Sequence, residues 1–244
     1  MTYCVGMSLE SGLVFASDSR THAGVDHVAT FRKMTVYEKA GDRVIVLLSS
    51  GNLSITQSVL DILGKDRPKL KNSDSLWKTP SMIEAARTTG RAIRQVYDLD
   101  GGPLKRHGED FNVSFILGGQ IKGERPRLFN IYSAGNFIEA TRETCYFQIG
   151  EIKYGKPILD RIIQPECSLN EGAKCALISF DSTIRSNISV GLPIDLLVYE
   201  RDSLKIRGYL QIDRNDLYFN ELKGRWSEGL KELFYSLKDP EWPG

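Results

Sequence analysis

The first nine residues alternate between small and large side chains. Tyr3, Val5, Met7 and Leu9 are large and apolar, whereas the even positions from 2 to 8 carry small residues. This period of two predicts a β-strand with one packed face and one open face. A second apolar run, 13–20, follows a short segment that contains a glycine and predicts the partner strand of a hairpin.

The register of this hairpin decides which side chains share a face. A three-residue loop at 10–12 places Thr2 opposite Arg20 and Cys4 opposite Asp18, with all four on the small-residue face. A shift of one residue would move Asp18 to the face opposite Thr2, because side chains alternate along a strand. We predict the three-residue loop, which brings these polar groups together.

The remaining pattern predicts blocks of strands and helices. Short apolar runs predict strands at 34–40, 43–48, 111–117, 127–133, 136–140, 145–149, 194–199 and 206–212. Apolar residues at helical spacing predict helices at 53–63, from 81 to a stop at 100–103, and at 154–163, 170–182 and 217–237. Two antiparallel sheets packed face to face, with helices on both outer sides, satisfy this order. The chain shows no repeat or linker, which predicts a single domain over 1–244.

Composition narrows the class of protein. The 244 residues are 41% hydrophobic and 26% charged, with a formal net charge of +1, which is typical of a globular protein and gives no sign of a nucleic-acid partner. The four cysteines form no Cys-x-x-Cys pair, so neither a zinc site nor a disulfide framework is indicated, and a reducing cytoplasm is expected. The sequence shows neither an apolar leader nor a run of membrane-spanning length.

An N-terminal threonine can act as a nucleophile that carries its own base. Removal of Met1 would expose the α-amine of Thr2, with a reference pKa of about 8, beside its hydroxyl. A neighbouring lysine ammonium favours the neutral, proton-accepting amine, and Lys33 is the candidate. Asp18 is expected to orient this lysine and keep it charged, and Arg20 to brace Asp18 or the loop that follows it. Taken alone, these residues also fit a purely structural ion pair.

These features together resemble a known family. A processed terminal threonine, an aspartate and an arginine at the end of the second strand, and a lysine near the start of the third are similar to the proteasome β-subunit pattern. More closely, the segments TYCVG at 2–6 and DSTIRSNISVGLP at 181–193 resemble the bacterial proteasome-like family called Anbu. The resemblance covers essentially the whole chain. It implies the four-layer αββα fold (class α+β) of N-terminal-nucleophile hydrolases.

The resemblance also implies further site residues. Gly51, just before a predicted helix, would donate its backbone N–H to a developing oxyanion. Glu151 stands where the family usually has a serine that bonds the terminal amine; its carboxylate could hold the amine protonated or act as an additional base. Asp181 matches an aspartate that the family places in the loop after a helix.

Two further sets of side chains follow from the same resemblance. The hydroxyl that accompanies the aspartate is Thr183 or Ser186, and the sequence does not separate them. The substrate-specificity wall is expected to comprise three small polar residues, Thr21, Thr35 and Ser49.

The implied function is amide-bond hydrolysis through an acyl-enzyme ester on the Thr2 hydroxyl, which makes the chain a threonine peptidase. The alternatives are a hydrolase of small amides with the same chemistry, or a catalytically idle subunit that forms a ring or chamber. The resemblance further implies self-association into a ring or an open helical assembly, and partner proteins of a ligase type. The mechanism requires neither a metal nor an organic cofactor, and no membrane or nucleic-acid partner is expected.

Overall fold

A computed structural model describes residues 2–22, 28–64 and 75–242 of the chain, with the backbone alone at 21, 22, 28 and 29. The strands are β1 (Tyr3–Leu9), β2 (Gly12–Asp18), β3 (Arg20–His22), β4 (Val28–Thr30), β5 (Met34–Lys39), β6 (Arg43–Gly51), β7 (Val113–Ile121), β8 (Arg127–Ile131), β9 (Phe137–Glu139), β10 (Tyr146–Gly150), β11 (Ile194–Glu200) and β12 (Gly208–Ile212). The first sheet has the order β10-β1-β2-β11-β12, the second has the order β5-β6-β7-β8-β9, and β3 pairs with β4.

The helices lie between these blocks of strands, in the predicted order. They are α1 (Leu53–Ile62), α2 (Met82–Arg106), α3 (Lys156–Ile162), α4 (Leu169–Ser186) and α5 (Leu217–Ser236). The predicted starts of α1 and α2 are confirmed, because Asn52 and Ser81 each accept a hydrogen bond from a first-turn backbone N–H. In the part of the chain that the structure describes, none of the helices has the length and apolar content to cross a membrane.

Three clusters of buried apolar side chains define the layers. One lies between the two sheets and includes Phe15 from β2 and Ile116 from β7. A second joins the outer face of the second sheet to α1 and α2, and a third joins the outer face of the first sheet to α3 and α4. The predicted αββα fold, with two antiparallel sheets flanked by helices, is confirmed.

The predicted register of the first hairpin is wrong by one residue. Leu9 pairs with Gly12 across a two-residue loop, so Cys4 lies opposite Ser17 rather than Asp18. Gly12 belongs to the strand because it lies directly against β11, where a Cβ at this position would be 2.0 Å from the carbonyl oxygen of Tyr199. The contact that selects the register is therefore a long-range one.

Two helices extend beyond their predicted ends. The Asp-Gly-Gly-Pro segment at 100–103 does not stop α2, which continues to Arg106 with Pro103 inside it. Gly101 is buried against the ring of Tyr97, and Leu104 packs on the core of the second sheet, so burial offsets the unfavourable helix propensity of these residues. Helix α4 extends to Ser186, four residues beyond the predicted end at 182.

Gly150 is expected to be essential to the segment that carries Thr2. Its φ is +84°, and an added Cβ would lie 1.9 Å from the carbonyl oxygen of Thr2, whereas Gly123 has a similar φ of +89° and nothing within 4 Å. Each Gly→Ala change should lower the free energy of unfolding by about 1 to 2 kcal/mol, because alanine disfavours the left-handed backbone. Gly150→Ala should lose a further ~1 to 3 kcal/mol through the clash. Urea unfolding of both variants measures this, and equal losses would contradict the expected contact.

Candidate active site

Thr2 lies at the start of β1 and is held there by its main chain. The residue is 8% exposed. Its carbonyl oxygen accepts a hydrogen bond from the backbone N–H of Glu151 at 2.7 Å, immediately beyond the end of β10. The tight approach of Gly150 to the same carbonyl group fixes the distance between the two segments.

A buried ion pair lies beside this residue. The Nζ atom of Lys33 donates to Oδ1 of Asp18 at 2.8 Å, and the same oxygen accepts the backbone N–H of Tyr3 at 3.0 Å. Lys33 also donates to the carbonyl oxygen of Arg20 at 2.7 Å. One carboxylate oxygen therefore joins the ammonium group to the peptide bond that follows Thr2. Although the register is shifted by one residue, Asp18 reaches the main chain next to Thr2 through the Tyr3 N–H, so the structure still brings Asp18 and Lys33 to this segment.

Burial determines the electrostatics of the pair. Desolvation raises the pKa of Asp18, and the Lys33 ammonium and the Tyr3 N–H both oppose that rise by favouring the carboxylate. Burial also raises the pKa of the Cys4 thiol, and the negative charge of Asp18 adds to the effect. Cys4 therefore stays a protonated thiol, which excludes it as a competing thiolate nucleophile.

Arg20 braces a loop rather than the aspartate. Its guanidinium donates to the carbonyl oxygen of Ile188 at 3.2 Å. It also lies so close to Gly191 that a Cβ there would be 2.6 Å from the Arg20 Cζ. Both contacts are with the loop that follows α4, so Arg20 connects the start of β3 to this loop.

Glu151 has a partner that sequence reasoning missed. Its buried carboxylate accepts a hydrogen bond at 2.9 Å from the side-chain amide of Asn187, the first residue beyond α4. Asn187 in turn accepts the backbone N–H of Ser189 at 2.9 Å. The amide thus fixes one carboxylate oxygen next to the segment that bonds Thr2. The only signal in the sequence is a polar residue at a helix end, which by itself indicates a cap.

The predicted position of Asp181 in a loop after the helix is wrong. Because α4 continues to Ser186, Asp181 lies inside it, where it forms an ion pair with Arg185 at 3.0 Å and borders the contact with α5. Thr183 is buried, and its hydroxyl donates to the carbonyl oxygen of Ser179 at 2.8 Å, within the helix. Ser186 is the exposed last residue of α4. These positions do not assign the amine-supporting hydroxyl to either residue.

Gly51 ends β6 at the entrance to α1. Its φ is +116°, and an added Cβ would lie 2.2 Å from the carbonyl oxygen of Asn112, so the backbone itself requires glycine here. Of the predicted specificity wall, Thr35 and Ser49 are buried, and the Ser49 N–H donates to the Lys33 carbonyl oxygen at 2.9 Å. The backbone of Thr21 belongs to β3, but its side chain lies outside the described residues.

The described ranges contain no group of three or more His, Cys, Asp or Glu side chains placed to hold a metal ion. The polar groups around Thr2 are instead joined to one another by hydrogen bonds. The arrangement can orient a cation and a main-chain segment, which suits proton transfer at the chain terminus.

Comparison with known proteins places this geometry in a family context. The solved structure described as Anbu (ancestral beta-subunit) from Yersinia bercovieri is 48% identical, with a TM-score of 0.92 and coverage of 100% of both chains. A second, described as the helical assembly of the Anbu complex from Pseudomonas aeruginosa, is 47% identical, with a TM-score of 0.93 and 98% of each chain covered. A proteasome subunit beta of Methanobrevibacter smithii is 25% identical over 181 residues, 72% of this chain and 76% of that protein. No protein-family model matches the chain.

The buried pair yields a prediction about stability. Asp18→Asn should keep the hydrogen-bond acceptor but leave the Lys33 charge uncompensated, at a cost of about 3 kcal/mol in the free energy of unfolding. Adding Lys33→Met should restore part of this loss. The matched control is Asp42→Asn in the half-buried pair with Arg43, which should cost no more than about 1 kcal/mol. Urea unfolding tests all three, and strictly additive losses for the double variant would show that the pair does not couple.

Proposed function

Because this chain belongs to the Anbu family of proteasome-like proteins, we propose that it hydrolyses amide bonds with Thr2 as an N-terminal nucleophile. The observation that carries the proposal is the Asp18 carboxylate oxygen, which bonds both the Lys33 ammonium and the peptide N–H next to Thr2. A cation held in this position is what a terminal amine needs in order to act as a base. The proposal requires that Met1 be removed.

The reaction proceeds in two halves. The neutral α-amine of Thr2 accepts the hydroxyl proton while the hydroxyl oxygen bonds to the carbonyl carbon of the substrate. The tetrahedral intermediate collapses when the α-ammonium donates this proton to the nitrogen of the leaving amine. The C–N bond breaks, and an ester on Thr2 remains. Water then attacks the ester carbonyl carbon while the α-amine accepts a proton from the water. The α-ammonium passes this proton to the departing Thr2 oxygen, which restores the hydroxyl and releases the carboxylic acid product. Gly51 is the proposed backbone donor to the oxyanion.

Lys33 acts through its charge and not as a proton carrier. A positive charge beside the α-amine disfavours the ammonium form and so increases the fraction of amine able to accept a proton. Asp18 and the Arg20 carbonyl oxygen hold Nζ at 2.8 Å and 2.7 Å, which fixes that charge in position. Thr2 is itself fixed by its carbonyl bond to Glu151, so the two groups are oriented before a substrate arrives.

The small, polar side chains of the predicted specificity wall favour a second substrate class as well. Thr35 and Ser49 are small, polar and buried, and neither side chain offers the apolar surface that a bulky hydrophobic residue of a peptide would need. A small amide substrate fits the same chemistry. Comparing a mixed peptide library with small glutamyl and aspartyl amides distinguishes the two classes.

We also propose that the chain self-associates in the cytoplasm. The relative from Pseudomonas aeruginosa is described as a helical assembly, and its fold matches this chain over nearly its whole length. The four cysteines are free thiols, which suits a reducing compartment. A chamber-forming subunit without activity would share this assembly but not the reactivity of Thr2.

The nucleophile is tested by covalent labelling. An electrophilic lactone or vinyl sulfone should add one equivalent to the processed chain, and intact mass should first show the loss of Met1. Thr2→Ala, with the terminus still processed, should abolish the adduct, whereas Thr2→Ser should keep it, because serine supplies the same amine and hydroxyl. An adduct that persists on Thr2→Ala would overturn the assignment and favour the idle subunit.

Glu151 is tested by the pH dependence of labelling. Glu151→Gln keeps an acceptor for Asn187 but removes a negative charge that would favour the protonated amine. If the carboxylate raises the pKa of the α-amine, its removal lowers that pKa, and labelling should reach half of its maximal rate at a lower pH. The control is Glu109→Gln at an exposed position after α2, which should leave the profile unchanged.

If Glu151 instead acts as an additional base, the Gln variant should label more slowly at every pH, with an unshifted midpoint. The position of the midpoint thus separates the two roles that the sequence leaves open.

A further inference from the structure

Among the residues that the structure describes, helix α5 packs on the rest of the chain with its first half alone. Phe219 is buried, and Leu222 and Trp226 lie with it against Leu177 and Ile178 of α4. Positions 219, 222 and 226 fall on one side of a helix, because 3.6 residues make a turn. The first three turns of α5 therefore place one apolar stripe on α4.

The same stripe continues along the second half of α5 without a partner among the described residues. Leu230, Leu233 and Leu237 fall on the face of Trp226 and are 48%, 60% and 63% exposed. Phe234 beside them is 68% exposed, and Trp242 beyond the helix is 83% exposed. At about 150 to 250 Å² for a large side chain, these five residues, here called the α5 tail, expose roughly 600 Å². A standard protein interface takes about 800 Å² from each partner.

A second, largely apolar surface, which also carries charged side chains such as Lys174 and Arg207, lies on the same chain. A groove with a volume of about 1220 Å³ runs between the N-terminal half of α4 and the edge of the first sheet formed by β11 and β12. Leu196, Val198 and Leu210 form its sheet side, and Ala173 and Leu177 form its helix side. Leu210 is more than half exposed although it lies on a strand next to the core. The groove is larger than the roughly 300 to 1000 Å³ of small-ligand sites.

The tail of a chain lies away from its own groove. Tyr218, at the first turn of α5, and Leu177 of α4 both border the groove, whereas none of the five tail residues lines it. At about 1.5 Å per residue, Leu230 and Leu237 lie roughly 18 Å and 28 Å further along the helix axis. Two apolar surfaces that no other described residue covers thus occupy separate places on one chain.

We propose that the α5 tail of one copy docks in the α4–β12 groove of the next copy. A contact between two different surfaces of identical chains can be reciprocal in a two-fold dimer or can run head to tail, and repeats of the head-to-tail form give a ring or an open helical array. The inference rests on the self-association proposed above and is independent of the chemistry at Thr2. A second copy is the occupant because the tail matches the groove in apolar character and each chain carries one of each.

The test uses two variants that each remove one surface. Leu233→Asp together with Phe234→Asp disables the tail, and Leu210→Glu disables the groove by placing a charge where the tail would dehydrate it. Arg225→Asp is the control, because it makes the same change of two charge units on the opposite, exposed face of α5. Circular dichroism melts check that all variants fold. Light scattering after size exclusion measures the number of 27.4 kDa chains per particle over a range of protein concentrations.

The native chain and Arg225→Asp should form particles whose size grows with concentration, whereas each surface variant should stay small. An equimolar mixture of the two variants should form a particle with more chains than either variant alone, since the intact groove of one accepts the intact tail of the other. If either variant assembles like the native chain, or mixing adds nothing, the tail–groove contact is refuted.

Other outcomes identify other occupants. Full assembly of Leu210→Glu with loss in the tail variant means tail-to-tail pairing, which overturns the groove assignment. A native chain that stays monomeric overturns self-association itself. Neither result affects the labelling of Thr2, so failure here and failure of the hydrolase proposal are separately observable.

Discussion

The carboxylate of Asp18 is the group on which the arrangement around Thr2 depends. It belongs to β2 of the first sheet, whereas Lys33 directly precedes β5 of the second. Its Oδ1 oxygen bonds the lysine and the main chain of β1 at once, so it joins three segments at the point where the two sheets meet. A buried carboxylate is costly without such partners, and a buried lysine equally so. Stability and the proposed chemistry therefore require the same pair.

Thr2 is positioned through main-chain groups on both sides. Its carbonyl oxygen is bonded by the N–H of Glu151, and the next N–H, from Tyr3, is bonded by Asp18. These bonds place the residue without engaging its side chain. The Tyr3 side chain adds a further anchor, because its hydroxyl is within hydrogen-bond distance of Ser179 in α4 at 3.1 Å and receives a bond from Gln148 at 2.6 Å. In the proposed reaction, this backbone anchoring would present the hydroxyl and amine of Thr2 in a fixed orientation, which reduces the entropy cost of reaction.

The sequence predicts those features that depend on local patterns. Period-two and helical spacing predict the four layers and the order of the elements except for the short strands β3 and β4. The family resemblance marks the lysine, the aspartate and the threonine as a set. The hairpin register was not predictable in this way, because two- and three-residue loops both satisfy the alternation of residues 2–9. The contact between Gly12 and the carbonyl oxygen of Tyr199, almost two hundred positions away, selects the two-residue loop.

The contact between Asn187 and Glu151 also depends on the tertiary structure, because the two side chains come together only when α4 and β10 have packed. Asp181 was misplaced because α4 continues four residues beyond its predicted end, to Ser186.

The tail–groove contact proposed above depends on the length of α5 relative to its partner α4. The roughly 600 Å² exposed by the α5 tail corresponds to about 15 kcal/mol of hydrophobic free energy if it is fully buried, at about 25 cal/mol per Å². Association costs an estimated 4 to 15 kcal/mol in lost translation and rotation, with more for ordering side chains. The gain and the cost are of the same order, so a tail–groove contact should be reversible and dependent on concentration. Within an array each interior chain takes part in two such contacts, through its tail and through its groove. Because α5 extends beyond its contact with α4, its second half supplies an exposed apolar surface on which the proposed assembly can form.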